Sequence, residues 1–242
     1  MRALWLPDVL TAAGCKVRTI DGWQNRGKEL VSIEGVVWHH TASGPSSSDA
    51  AVAGLLTKGR PDLAGPLAQL GLQRDGTFVV VAAGKANHNG YGTWGNQALG
   101  IEAYNDGVGE PWPQAQLDAY DLGSAAILAH LGYDADRMKG HRETDPRRKP
   151  DPVGIDLDAA RTRIARLLTS GLHPQPPKGP LMALTDEEQT EILIKIRELH
   201  DDYAVSIEPG SKHPRTGIIW PDGTKRWQIG KLFRRAFPKR KG

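Results

Sequence analysis

The chain reads Val36-Val37-Trp38-His39-His40-Thr41-Ala42-Ser43 at its strongest predicted strand. A short apolar run follows Gly35 and ends in two adjacent histidines, which is typical of a buried strand that reaches a site at its end. Because side chains alternate across a strand, only one of the two histidines can face a given pocket. Taken alone, a strand-end histidine is more often a hydrogen-bonded core residue than a ligand.

Around this strand, short apolar runs alternate with helical periodicity through residues 1–172. This alternation predicts an α/β (α+β) domain with a mixed central β-sheet flanked by helices. Residues 70–73 and 78–82 flank Asp75-Gly76, a strong hairpin signal, and residues 99–104 form a further strand. The apolar spacing predicts helices at about 48–58, 114–131 and 157–170.

Composition excludes several classes of protein and site. The 242 residues contain no apolar run near the roughly 20 needed to span a bilayer, so no membrane partner is expected. Pro7 and Asp8 interrupt the apolar run at the N-terminus, so no secretory signal is expected. Cys15 is the single cysteine, which excludes an intramolecular disulfide and a cysteine-rich zinc site. A metal here would need histidine and carboxylate ligands.

A proline-rich segment marks the predicted domain boundary. The stretch His173-Pro174-Gln175-Pro176-Pro177-Lys178-Gly179-Pro180 favours an extended spacer over packed structure. We therefore expect a catalytic domain over residues 1–172, a linker over 173–182 and a small C-terminal accessory module over 183–242. Within the module, a capping box at Thr185 and helical apolar spacing from Ile192 to Tyr203 predict one amphipathic helix.

The end of the chain is basic and aromatic. Residues 205–242 carry ten lysines and arginines against Glu208 and Asp222, a net charge of +8, whereas the rest of the chain carries −5. Aromatics interleaved with these cations can stack on sugars while the charge attracts an anionic polymer. An anionic wall polymer is the favoured partner, with nucleic acid less favoured and a solvated basic end as the alternative. The aromatics are Trp220, Trp227, Phe233 and Phe237.

A second stretch supplies the remaining chemistry: Gly140-His141-Arg142-Glu143-Thr144-Asp145-Pro146-Arg147-Arg148-Lys149-Pro150-Asp151-Pro152. Alone, it resembles a charged surface loop stiffened by prolines. Together with His39, however, His141 and Asp151 supply three N/O ligands and leave a fourth tetrahedral position open, as in catalytic zinc sites. Zinc held in this way would activate water and polarise a carbonyl, the two requirements for hydrolysing an amide.

These segments resemble a known family. His39-His40-Thr41-Ala42, Leu99-Gly100-Ile101-Glu102 and the stretch from His141 through Lys149 to Asp151 are similar to motifs of the type-2 N-acetylmuramoyl-L-alanine amidases. That family includes phage endolysins and is related to peptidoglycan recognition proteins. The resemblance covers about residues 30–170, and the order and spacing of the motifs make it specific.

The resemblance implies roles for individual residues. His39, His141 and Asp151 would hold Zn²⁺, with His40 on the other face of the strand. Glu102 would act as general base, and Lys149 would stabilise the oxyanion of the scissile carbonyl. Substrate contacts are expected from three further residues: His88, Asn96 and Thr41. One feature departs from the pattern, because Gly65-Pro66-Leu67-Ala68-Gln69 stands where several relatives have a catalytic tyrosine.

The implied activity is cleavage of the amide between N-acetylmuramic acid and the L-alanine of the peptidoglycan stem peptide. With no visible export signal, we expect a phage endolysin that stays in the host cytoplasm until lysis and then reaches the cell wall. The alternative is a non-catalytic peptidoglycan-binding protein. A third interpretation, a nucleic-acid-binding protein, lacks any groove-reading motif.

Overall fold

A computed structural model describes residues 1–90 and 94–171, together with Lys195. These residues, apart from Lys195, fall in the first of two units, Met1–Pro174 and Gln175–Gly242. The predicted linker, late helix and basic aromatic module therefore lie outside the described residues. None of the described helices has the length and apolar character that a membrane crossing requires.

The described part is a mixed sheet with helices on both faces, as the sequence predicts. In chain order the helices are α1 (Leu6–Ala12), α2 (Asp49–Lys58), α3 (Gln114–Leu131), α4 (His141–Thr144) and α5 (Leu157–Ser170). The strands are β1 (Lys16–Thr19), β2 (Val36–His40), β3 (Gly59–Arg60), β4 (Leu63–Ala64), β5 (Leu70–Leu72), β6 (Thr77–Val80), β7 (Leu99–Ala103) and β8 (Met138–Gly140). Short 3₁₀ turns cover Trp23–Asn25, Gly95–Gln97 and Ala135–Arg137.

The six-stranded sheet has the order β1-β6-β5-β7-β2-β8, and β3 pairs with β4 separately. Strands β5, β7, β2 and β8 run parallel, whereas β6 is antiparallel to β5 and parallel to β1. The predicted Asp75-Gly76 hairpin is confirmed, since it joins β5 to β6 with Gly76 at φ +82°. Strand β2 lies between β7 and β8, so its end is flanked by both of the other motifs.

Side chains on the two faces of the sheet belong to different apolar clusters. Trp38 and Ile101 pack with residues of α1, α3 and α5, whereas Val79 and Val81 pack with residues of α2. Asp156 caps α5, because its side chain accepts hydrogen bonds from two backbone N–H groups of the first turn. The patterns above predict neither α1 nor β8, since seven and three residues are too few to show a period.

Candidate metal centre

The end of β2 is held in a fixed orientation by contacts on the face of the sheet that packs against α3. Trp38 points toward α3, where its Nε1 donates to Ser124 Oγ at 2.7 Å and its ring stacks on Tyr120 with centroids 3.9 Å apart. Because successive side chains alternate across a strand, His39 points to the opposite face. The bulky, fully buried tryptophan therefore determines the face on which the histidine lies.

His141, the first residue of α4, and Asp151, in the loop between α4 and α5, approach the same point. The register pairs Trp38 with Gly140, so the residue after β8 starts beside the end of β2. The loop is closed by a hydrogen bond from the Arg142 N–H to the Asp151 carbonyl at 2.8 Å. The parallel pairing of β2 with β8 thus brings together ligands that are more than 100 residues apart in sequence.

Three ligand atoms converge. His39 Nδ1 lies 2.9 Å from His141 Nδ1, and each nitrogen lies 3.0 Å from Asp151 Oδ2. All three residues are buried. No arrangement of protons gives every edge of such a triangle a good hydrogen bond, whereas one cation can accept lone pairs from all three atoms. Two histidines and one carboxylate that leave a fourth position open are the ligand set of a catalytic zinc site.

The electrostatics favour the protonation states that a metal requires. Burial, with help from the charges of His141 and Lys149, lowers the pKa of His39 to about 4 against the opposing effect of Asp151. Burial alone would raise the pKa of Asp151, but the close contacts of its carboxylate with the rings of His141 and His39 outweigh burial and hold that pKa well below its usual range. A neutral imidazole and an ionised carboxylate are the forms that bind a cation.

Glu102 faces the cluster from the neighbouring strand. It is the register partner of His39 on β7, and its Oε2 atom is buried without a hydrogen-bond partner among the described residues. Burial raises its pKa to about 8, as does the charge of Asp151, against the opposing charges of Lys149 and Arg60. A carboxyl group that titrates near neutral pH can both accept and return a proton.

Lys149 stands on the loop two residues before Asp151. Its backbone N–H donates to the Asp145 carbonyl at 3.1 Å, which fixes that part of the loop. The positive charge of Lys149 lowers the pKa of His39 and also that of Glu102. Its ammonium group therefore influences both a residue of the cluster and the carboxyl group on the neighbouring strand. The position suits a cation that meets negative charge developing beside the ligands.

His88, a further predicted substrate contact, is buried next to the cluster. Its Nδ1 lies 3.0 Å from His39 Nε2. Its other nitrogen, Nε2, lies 3.0 Å from the Ala98 carbonyl oxygen. Both ring nitrogens of His88 therefore have partners among the described residues, one of them the ring of His39.

Three other residues singled out in the sequence lie outside the three-atom cluster. His40 is half-buried, and its Nδ1 accepts a hydrogen bond from the Val153 N–H at 3.2 Å, so it lies outside the three-atom cluster. Thr41 is half-buried just after β2 and continues the pairing with β7 through its N–H and the Ala103 carbonyl. Asn96 is half-buried in the turn Gly95–Gln97.

The hydroxyl group of Tyr120 is a contact to the site that sequence reasoning missed. That hydroxyl accepts from the His39 N–H at 3.0 Å and lies 2.7 Å from the His39 carbonyl and 2.8 Å from the Ile101 carbonyl. The Tyr120 hydroxyl group therefore fixes the backbone of His39 on β2 and links it to Ile101 on the neighbouring strand β7. The helical spacing gives no signal for this contact, which depends on how α3 crosses the sheet.

Comparisons with known proteins agree with the geometry. A curated relative, an uncharacterised protein of Mycobacterium tuberculosis, is 37% identical over 62 residues, a match that covers 26% of this chain and 23% of that protein. The match thus spans under a quarter of the relative's length. The amidase LysC of Clostridium intestinale URNW has a TM-score of 0.51 at 14% identity and covers 62% of this chain and 97% of its own.

The hydrolase AmiA of Staphylococcus aureus, solved in complex with its ligand, also has a TM-score of 0.51 at 14% identity and covers 70% of this chain and 94% of its own. At this identity both structures show a shared fold and nothing more. The family model for N-acetylmuramoyl-L-alanine amidase matches residues 29–154, just over half of the chain. This segment contains the whole His39–His141–Asp151 cluster, so it is a zinc-amidase domain, and the chain belongs to the N-acetylmuramoyl-L-alanine amidase family.

Proposed function

We propose that the protein hydrolyses the amide bond between N-acetylmuramic acid and the L-alanine of the peptidoglycan stem peptide. One observation carries the proposal: three ligand atoms within 3.0 Å of one another lie beside Glu102, whose Oε2 atom is buried and has no hydrogen-bond partner in the described part of the chain. Family membership supplies the substrate class. The assignment of roles to individual residues is part of the proposal.

His39, His141 and Asp151 would hold the metal, since their donor atoms and protonation states fit a single cation. When bound, zinc supplies Lewis-acid polarisation of a carbonyl and lowers the pKa of a water molecule to about 7. The burial of these ligands keeps bulk water away from them, which strengthens every charge interaction around the scissile bond.

Glu102 and Lys149 would perform the proton transfer and the charge stabilisation. Glu102, in its ionised form, would take a proton from the attacking water and return it to the leaving amine. Lys149 would place its positive charge near the oxygen of the scissile carbonyl, where negative charge develops. Thr41 and Asn96, at the half-buried rim, remain our proposed substrate contacts.

The proposal is tested on suspensions of purified cell wall. The protein should clear the suspension and release new N-terminal alanine, a chelator should stop both effects, and added Zn²⁺ should restore them. The Asp151→Asn variant serves as the matched control because it keeps the side-chain volume and removes the charge. A preparation that binds wall without producing N-terminal alanine under any metal condition would instead indicate a non-catalytic peptidoglycan-binding protein.

We further propose a biological role as a phage endolysin, held in the host cytoplasm until lysis, whose basic C-terminal module binds an anionic wall polymer. The support is the pairing of an amidase domain with an aromatic segment of net charge +8. Wall pelleting of the full chain should exceed that of a chain ending at Gly171, and the difference should shrink at high salt. Equal pelleting would remove the binding role of the module.

A further inference from the structure

Two histidines and a carbonyl form a continuous hydrogen-bonded chain behind the metal centre. The Ala98 carbonyl oxygen lies 3.0 Å from His88 Nε2, and His88 Nδ1 lies 3.0 Å from His39 Nε2. His39 then presents its other nitrogen, Nδ1, to His141 and Asp151. The chain thus runs from the backbone of the residue before β7, through two buried rings, to a ligand atom.

The end of this chain determines where each proton sits. A carbonyl oxygen only accepts hydrogen bonds, so His88 Nε2 carries a proton and donates it to Ala98. In neutral His88 the Nδ1 atom is then an acceptor, and His39 Nε2 must carry the donated proton. This leaves the Nδ1 lone pair of His39 free and directed at the cluster, which is the tautomer that a metal ligand needs.

We propose that His88 is a positioning residue for the metal centre, which fixes the tautomer and ring orientation of His39. The inference rests on the metal centre proposed above and adds to it a residue that touches neither metal nor substrate. Ligand histidines in proteins commonly donate their second N–H to a fixed acceptor, and loss of such an acceptor weakens metal binding by about 10–100-fold.

A glycine on β7 makes room for this arrangement. A Cβ atom built on Gly100 would lie 2.5 Å from His88 Cγ, closer than real atoms approach. The backbone of Gly100 is not in the left-handed region, so the His88 ring is the main obstacle to a side chain there. Its N–H donates to Gln69 Oε1 at 2.7 Å, which holds the strand against the ring. We attribute the presence of a glycine at position 100 to the close approach of the His88 ring to the backbone of β7.

The support is one-sided. His141 Nε2 is buried and has no hydrogen-bond partner among the residues that the structure describes. Of the two histidine ligands, His39 is therefore the one that a protein side chain holds in the metal-binding tautomer. We accordingly expect changes at His88 to act on the metal centre through His39.

Zinc affinity, measured by competition with a chromogenic chelator, tests the inference. His88→Leu should weaken Zn²⁺ binding by about 10–100-fold, whereas His88→Asn, which keeps an acceptor near the Nδ1 position, should recover most of the loss. His130→Leu, which removes a ring stacked on Trp5 at the end of α3, is the matched control and should bind like wild type. Equal affinity in His88→Leu and wild type would overturn the inference.

Two further measurements separate positioning from packing. In the ¹⁵N NMR spectrum of the zinc-loaded protein, His39 should be protonated on Nε2. Protonation on Nδ1 would contradict the proposed role of His88. Gly100→Ala should weaken zinc binding in the wild-type background but have little effect in a His88→Ala background, because the obstructing ring is gone. Equal losses in the two backgrounds would overturn the inference, even if His88→Leu fails to fold.

Failure of the proposed metal centre has a different signature. If the wild-type protein binds no Zn²⁺, the proposed metal centre is wrong, and so is the proposed role of His88. If the protein binds Zn²⁺ through His39 equally well without His88, the metal centre is correct and only the positioning role of His88 is wrong.

Discussion

His39 and Glu102 are register partners on the parallel strands β2 and β7. The proposed metal ligand and the proposed general base therefore sit on one rung of the sheet and point to the same face. A slip of one residue in the pairing would send one of them to the opposite face, so the register of β2 and β7 is a condition for activity. Trp38 and Ile101, the preceding pair, hold that register from the apolar side.

Glu102→Gln is expected to lower kcat/KM by about 10²–10⁴-fold while zinc affinity stays close to wild type. The amide keeps the size of the side chain but cannot take a proton from water. Release of N-terminal alanine and chelator competition measure the two quantities separately. Glu34→Gln, which affects an ion pair with Arg137 away from the cluster, should be as active as wild type. Full activity in Glu102→Gln would exclude this residue as the base.

The same substitution should reveal the raised pKa of Glu102 in the zinc-free chain. In the folded state the carboxyl group stays protonated up to about pH 8, whereas in the unfolded chain it ionises near 4.5. Between these values unfolding releases a proton, so the unfolding free energy falls as pH rises, by up to about 1.4 kcal/mol per pH unit.

Glu102→Gln lacks this titration. Its stability relative to wild type should therefore increase from pH 5 to pH 8, as measured by urea unfolding at fixed ionic strength. A difference in stability between the two chains that is independent of pH would show that the Glu102 carboxyl group is ionised in the fold at neutral pH.

Lys149→Met should reduce kcat/KM by about 10²–10³-fold, the cost of removing one charge that stabilises an oxyanion. It should also move the acidic limb of the pH–rate profile upward, because the lysine lowers the pKa of Glu102. Lys58→Met, at the end of α2, is the charge-matched control. If the limb stays in place while the rate falls, Lys149 stabilises charge without tuning the base.

Asp151→Ala and His40→Ala separate the ligands from their neighbours. Asp151→Ala removes one of three converging atoms and should weaken zinc binding by more than about 100-fold, beyond the loss typical of outer partners. His40→Ala should retain the metal, since its ring lies against Gly107 and Val153. Metal content after dialysis gives the comparison. Loss of zinc from His40→Ala alone would reverse the assignment of the two adjacent histidines.

The sequence could predict those features that depend on local patterns. Apolar spacing and Asp156 locate α5, and Asp75-Gly76 locates the β5–β6 hairpin. The strand that carries His39 was also predictable, because a continuous apolar run precedes the histidine. Short elements such as β8, with three residues, carry no period and could not be found.

Contacts between residues that are far apart in the chain could not be predicted from the sequence. His88 stands 49 residues from His39, and only the folded sheet shows that the two rings lie within hydrogen-bonding distance of each other. The buried state of Glu102, which raises its pKa, likewise depends on the packing around β7. A resemblance can indicate that a residue belongs near a site, but its exposure and partners follow from three-dimensional packing.

Tyr120→Phe tests how firmly the backbone of His39 must be held. The phenyl ring should keep the stacking on Trp38, but the buried His39 N–H loses its acceptor, which should lower the unfolding free energy by about 1–3 kcal/mol. Tyr133→Phe is the matched control, because its half-buried hydroxyl donates to the Ile33 carbonyl at 3.1 Å and its loss should cost less. Urea unfolding of both variants gives the comparison. Equal, small losses would show that water or a shift of α3 satisfies the His39 N–H, and that the hydroxyl is dispensable for placing the ligand.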